Sequence, residues 1–185
     1  MAHLTTEQLE AGLELIRQSP KDSGLLELIV RRPGIDEREV LQRGELNFEE
    51  GLAGDSWRRR GSSRSKDGFA HPDMQLNVIN SRAAALVAQD RERWQLAGDQ
   101  LYIEMDLSRN NLPPGTHLQL GTAVIVVTDQ PHTGCQKFVA RFGKEAMKFV
   151  NSPIGRDLNL RGINCRVVQP GIVDVGDSVT KLAKI

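Results

Sequence analysis

Residues 117–138 read HLQLGTAVIVVTDQPHTGCQKF. His117–Leu120 and Thr122–Thr128 flank Gly121 closely, as two strands of a hairpin joined by a tight turn would. Within the second strand, the β-branched run Val124–Val127 predicts a buried segment. Gln130 and Pro131 stop it. After Thr133-Gly134-Cys135 the apolar residues Phe138, Phe142, Ala146 and Phe149 recur at helical spacing, in turns separated near Gly143. A lone thiol therefore stands where a strand hands over to a helix. Free backbone N–H groups and the positive end of a helix dipole favour a thiolate there, and His132 and Lys137 add positive charge nearby. The plain alternative is a small core residue.

Working outward, Thr5-Thr6-Glu7-Gln8 matches a capping box ahead of Leu9, Leu13 and Ile16. This predicts a helical appendage over residues 1–22, before a main domain over 23–185. Leu25–Val30 reads as a strand ended by the turn Arg31-Arg32-Pro33-Gly34. Ile35–Phe48 alternates charged with single apolar residues, as an exposed hairpin or edge does. Trp57–Asp73, WRRRGSSRSKDGFAHPD, reads as a mobile surface loop. Met74–Ile79 is predicted as a strand, followed by an Ala-rich helix capped by Ser81. Leu101–Met105, Ile163–Val168, Ile172-Val173 and Ser178–Leu182 complete the strands. Short strands at close spacing with Gly-Asp turns predict a mainly β, α+β chain built on a β-barrel, in preference to a parallel α/β sheet.

The bulk properties narrow the partners. At 185 residues the chain can bury one proper core. Acidic and basic residues balance at 24 each, which argues against nucleic acid or a membrane as partner. Aromatic residues at 4% are too few for a base-stacking face. The N-terminal MAHLTTEQLE lacks the apolar core of a signal peptide, and two cysteines do not make a disulfide framework, so a reducing cytoplasm is expected.

Cys135 is the leading candidate for catalysis or metal ligation. Cys–His catalysis needs His71, His117 or His132 brought close in space. Zinc is weaker, because His132 and Cys135 form no paired-ligand motif and Cys165 has no partner at metal spacing. A soft thiolate does suit a metal that arrives already carrying sulfur ligands from a cofactor. Arg58, Arg59, Arg60, Arg64 and Lys66 are candidates for phosphate, as is Arg82 in the first turn of its helix. Gly54-Asp55, Gly98-Asp99 and Gly176-Asp177 read as turns, the first of them placed to shape a site. Asn151-Ser152-Pro153 stops a helix, and its amide can face the pocket of Cys135. Cys165 reads as core.

Together these residues resemble the molybdenum-cofactor sulfurase C-terminal (MOSC) domain family. The resemblance lies in Gly51-Leu52-Ala53-Gly54-Asp55, Gly98-Asp99-Gln100-Leu101, the hairpin Leu118–Thr128, Gln130-Pro131 through Phe138, and Gly162–Val168 followed by Val175-Gly176-Asp177. These run in family order over roughly residues 25–182. Ser56-Trp57 stands where many members have Arg-His, Asp99 where Glu is commoner, and Gly134 where proline often precedes the cysteine.

The resemblance implies a β-barrel-like fold and a standalone domain with no attached sulfurase, so pyridoxal phosphate is not expected in this chain itself. It implies that Cys135 matches the family cysteine, which is assigned to the metal of the molybdenum cofactor or to persulfide sulfur. The cofactor's phosphate would meet Arg58, Arg59, Arg60 and Arg82, with His132, Thr133, Gly134, Lys137 and Asn151 lining the same site. The expected protein is a small molybdoenzyme reducing N-hydroxylated compounds, or a sulfur carrier. A small-molecule substrate and a redox or cofactor-maturation protein are its expected partners. A metal-free persulfide transferase and a non-enzymatic anion-binding module are the alternatives.

Overall fold

The computed structural model describes residues 2–62 and 65–183. Two short helices, α1 (Thr6–Ala11) and α2 (Leu13–Arg17), precede β1 (Ser23–Arg31), β2 (Glu39–Leu41), β3 (Arg43–Asn47) and β4 (Gly51–Leu52). Then come α3 (Trp57–Arg60), β5 (Leu76–Asn80), α4 (Ser81–Ala88), β6 (Leu101–Ile103), β7 (His117–Leu120) and β8 (Ala123–Val127). The chain ends with α5 (Gln136–Asn151), α6 (Pro153–Asp157), β9 (Ile163–Gln169), β10 (Gly171–Asp174) and β11 (Ser178–Lys181).

Seven strands close on themselves in the order β11-β7-β8-β9-β5-β6-β1, because β1 pairs again with β11. Closure removes the open edges that would otherwise invite pairing with another chain. Only β5 and β6 run parallel; the other neighbours are antiparallel. The hairpin of β7 and β8 forms as its sequence predicts, with His117 opposite Val126 and Leu120 opposite Ala123. β2 extends the barrel beside β1, while β3 lies between β10 and β4 in a separate three-stranded sheet. The segment 35–48 is thus divided between two sheets instead of forming one hairpin.

Two apolar clusters follow from the strand period. Inward residues such as Leu26, Ile29, Val78, Leu118, Ile125 and Val167 fill the barrel. Cys165 is fully buried among them, as its strand context predicts, and burial pushes its thiol up. Residues on the opposite strand faces, including Ile79 and Tyr102, pack under α4 and α5 with Ala84, Phe142 and Phe149. Leu9 and Ile16 of α1 and α2 join this second cluster. β5 is buried at all five positions for the same reason, with the barrel on one side and helices on the other.

Two local expectations are corrected. The cap of α4 is Asn80, whose side chain accepts from Arg82 N at 2.8 Å, and Ser81 is the first helical residue. Asn80 also donates to Met105 O at 2.8 Å, so the cap doubles as a barrel contact. The predicted loop 57–73 begins with the helical turn α3 and ends in a 3₁₀ turn, Pro72–Met74, because Trp57 is buried and anchors the arginines beside it. Ser63 and Arg64 lie outside the described residues. No helix among the described residues is long and apolar enough to cross a membrane.

α5 breaks at Gly143, as its sequence predicts, with φ 89° and ψ 167° inside the helix. This is a region that is essentially glycine's alone. A Cβ there would also stand 2.7 Å from Nδ1 of His3. The bend lets the first half of α5 carry Phe138 onto the barrel while the second half packs on α1 and α6. Gly143→Ala is expected to lose about 1–3 kcal/mol of stability in urea unfolding. An unchanged midpoint would show that the bend is not required.

Candidate functional site

Cys135 caps α5 at its N-terminus in an extended conformation and is exposed. The connection leading to it is clamped at both ends. At the strand end, Thr128 N donates to Asn164 O at 2.9 Å, and Asn164 Nδ2 donates to Gln130 O at 3.1 Å. At the helix end, Asn151 brackets one residue: its Oδ1 accepts from Gly134 N at 2.9 Å and its Nδ2 donates to Gly134 O at 3.2 Å. Asn151 is therefore a positioning residue that fixes the backbone immediately before the thiol.

Cys135 lines a cavity of about 570 Å³, within the range of small-molecule sites. Arg32 and Arg161 are buried in its wall, at 4% and 6% exposure. Arg32 donates from N and Nε to Asp55 Oδ2 at 3.0 and 2.9 Å, from Nη2 to Oδ1 at 3.0 Å, and from Nη1 to Asn77 Oδ1 and Gly98 O. Asp55 is fully buried and also accepts from Trp57 N at 2.9 Å, which starts α3. Arg161 donates to Asp99 Oδ2 at 2.7 Å and to Ala97 O at 2.9 Å, and lies 5.1 Å from the centre of the Phe138 ring. Burial pushes the Asp99 carboxyl above its ordinary range, against the pull of Arg161.

Five more cations complete the wall: Arg38, Arg59, Arg60, Lys137 and Arg141. Asp36 is the one carboxylate among the lining residues. Desolvation, then the like charges of Arg141 and Arg32, pull Arg38 down from its ordinary value. The Nε atoms of Arg38 and Arg161 are buried without a hydrogen-bond partner. Crowded cations favour an anionic guest, which relieves their repulsion. The bend at Gly143 limits the straight first segment of α5, so these side chains, more than a helix dipole, set the potential beside Cys135.

The structure gathers Cys135, Arg59, Arg60 and Lys137 from the sequence candidates in one cavity. Gly134 and Asn151 support the thiol's backbone from behind. His132 lines a separate 280 Å³ hollow and turns Nδ1 toward Asp99 Oδ1 at 3.5 Å. Thr133 is exposed on the connection, outside the residues lining the cavity. Arg58 pairs with Glu49 at 3.2 Å and faces another groove beside Phe48 and Phe69. Arg82 is spent on structure, pairing with Glu104 at 2.6 Å and donating to Leu15 O at 2.8 Å. Lys66 is exposed and lies outside the cavity lining. Sequence reasoning missed Arg32, Arg38, Arg141 and Arg161. For Arg32 and Arg161 the signal lay in the turns Gly54-Asp55 and Gly98-Asp99, whose buried carboxylates must each be matched by a cation. Among the described residues no three His, Cys, Asp or Glu side chains cluster as a metal site.

A closed seven-stranded barrel with an exposed thiol on a cation-lined cavity defines the class of protein. A family model described as the MOSC domain matches residues 65–180, and the chain belongs to that family. The fold is similar to that of the YuaD protein from Bacillus subtilis, with a TM-score of 0.60 at 14% identity over 88% of this chain and 97% of that one. It is also similar to YiiM from Escherichia coli, with a TM-score of 0.56 at 20% identity over 87% and 71%. Among curated proteins none matches the chain. Arg32, Arg38, Arg59 and Arg60 all precede the span that the family model covers.

Asp55→Ala leaves Arg32 buried without its counter-ion, so a loss of about 3–5 kcal/mol is expected in denaturant unfolding. Glu49→Ala, which breaks only the exposed pair with Arg58, is expected to cost at most about 1 kcal/mol. Equal effects of the two substitutions would contradict the role given to Asp55.

Proposed function

We propose that the cavity holds a molybdopterin-type cofactor, with Cys135 supplying the protein's thiolate ligand to molybdenum. One observation carries this reading: among the described residues, an exposed thiol shares a cavity with seven cationic side chains and a single carboxylate. The donor set fits the group, since one soft ligand from the protein suffices when the pterin brings its own sulfurs. The cationic lining fits its anionic oxygens.

When bound, the cofactor supplies a molybdenum centre able to exchange electrons and an oxygen atom with a small substrate. The chain's residues bind and orient. Arg38, Arg59 and Arg60 line the cavity and are suited to the phosphate. Arg32 and Arg161, held by Asp55 and Asp99, present guanidinium faces that cannot swing away. Pro33, Ala97 and Phe138 give the cavity an apolar side that limits water. Asn151 keeps the thiol in place through Gly134. The reaction we assign, reduction of an N-hydroxylated compound, rests on family membership alone.

The exposure of Cys135 also favours a second reading, in which the thiol carries sulfur as a persulfide without metal. Metal analysis separates the two. Protein purified from a cofactor-competent host is expected to contain close to one molybdenum per chain, and Cys135→Ala very little. Wild type free of molybdenum but one sulfur heavier by intact mass would favour the carrier. Equal metal in wild type and variant would remove Cys135 from the ligand set.

A further inference from the structure

The cations of the cavity differ in what they already hold. Arg32 and Arg161 face buried carboxylates. Lys137 and Arg141, by contrast, share the exposed carboxylate of Asp36, whose Oδ1 accepts from Lys137 Nζ at 3.2 Å and from Arg141 Nη2 at 2.9 Å. Both cations stand on α5 just beyond Cys135 and line the same cavity as the thiol. The chain thus places its own anion on the two cations that lie nearest the thiol in sequence.

Asp36 belongs to the connection between β1 and β2, which is lightly held. Arg59 donates to Pro33 O at 2.9 Å, Glu37 N reaches Gly34 O at 3.4 Å, and Ile35 stands 84% exposed. At Asp36 the backbone takes φ 60°, a left-handed conformation that residues other than glycine adopt uncommonly. The side chain is 61% exposed, so water competes for both ion pairs. The hydrogen bond from Lys137 and then its charge hold the Asp36 carboxyl below its usual range, which keeps it anionic at neutral pH. A solvent-accessible carboxylate on a strained, loosely tied connection is the contact most easily exchanged in this cavity.

We propose that Asp36 is an internal anion that a phosphate group, free or carried by a ligand, displaces from Lys137 and Arg141 when it enters the cavity. Asp36 is then a specificity-determining residue: it admits groups that can replace a carboxylate on two cations at once and holds those cations against weaker acceptors. This rests on reading the cavity as an anion site. It goes further in assigning the Lys137–Arg141 pair to the exchange.

The test titrates the full chain with inorganic phosphate at fixed ionic strength and follows amide shifts of residues 33–38 and 135–141. Wild type, Asp36→Asn, Glu37→Gln and Arg60→Ala are compared. Phosphate is expected to perturb both segments of wild type. Asp36→Asn is expected to bind about three- to tenfold more tightly, the yield of freeing two exposed pairs. Glu37→Gln, a neighbouring exposed carboxylate with no cation in the cavity, is expected to stay within about twofold of wild type. No gain in Asp36→Asn with either inorganic phosphate or phenyl phosphate, or an equal gain in Glu37→Gln, overturns the proposal. If Asp36→Asn gains nothing with either probe while Arg60→Ala loses affinity, the anion cavity stands and only the exchange falls. If neither inorganic phosphate nor phenyl phosphate perturbs either segment in any of the four proteins, both fall. Repeating the series with phenyl phosphate separates the sources. A gain for both probes shows that the free oxyanion suffices, a gain for the ester alone shows that a ligand must carry it, and either supports displacement.

Discussion

The buried pair of Arg32 and Asp55 is the contact on which the site's shape depends. Taking both charges out of water is costly, and such a pair adds less to stability than a well-packed apolar substitute could. What it supplies is geometry. Arg32 directly follows the first long strand of the barrel, and Asp55 opens the helical turn that carries Arg59 and Arg60. The remaining guanidinium donors reach Asn77 on β5 and the Gly98 carbonyl. Asn77 in turn donates to Asn164 at 2.7 Å, and Asn164 holds the strand end of the connection that leads to Cys135. One continuous polar chain therefore relates the arginine wall to the thiol.

The second Gly-Asp turn repeats this arrangement. Gly54 and Gly98 both take positive φ, and each is followed by a fully buried aspartate that grips a buried arginine. With Arg32 and Arg161 so held, two guanidinium groups stay in the wall without the entropy that free surface arginines would lose on binding a guest. Of the remaining cations, Arg59, Arg60 and Lys137 are solvent-exposed. The cavity thus combines two fixed guanidinium groups with exposed cations, and Cys135 lines it with them.

The barrel was legible because its strands obey period two and their turns carry glycine, as in the β7–β8 hairpin around Gly121 and the strand around Cys165. The break at Gly143 and the buried state of Cys165 were equally readable, since each depends on neighbours within a few residues. The division of 35–48 between two sheets was not, because alternation says that a strand exists and not which strand it pairs with. Among site residues, Cys135, Arg59, Arg60 and Lys137 were visible as local clusters. Arg32 hid inside an apparent turn, and Arg161 beside a glycine, because their roles depend on aspartates 23 and 62 residues away. Arg82 misled for the reverse reason: it sits at a helix start suited to an anion, yet Glu104 on the next strand already occupies it.

The account requires that the space around the Cys135 sulfur be positive. The direct measurement is the rate of alkylation of Cys135 by anionic iodoacetate relative to neutral iodoacetamide, taken across a range of salt and compared with free cysteine. A cation-lined cavity predicts a ratio above that of free cysteine, falling toward it as salt screens the wall. A ratio equal to that of free cysteine, and indifferent to salt, would contradict it.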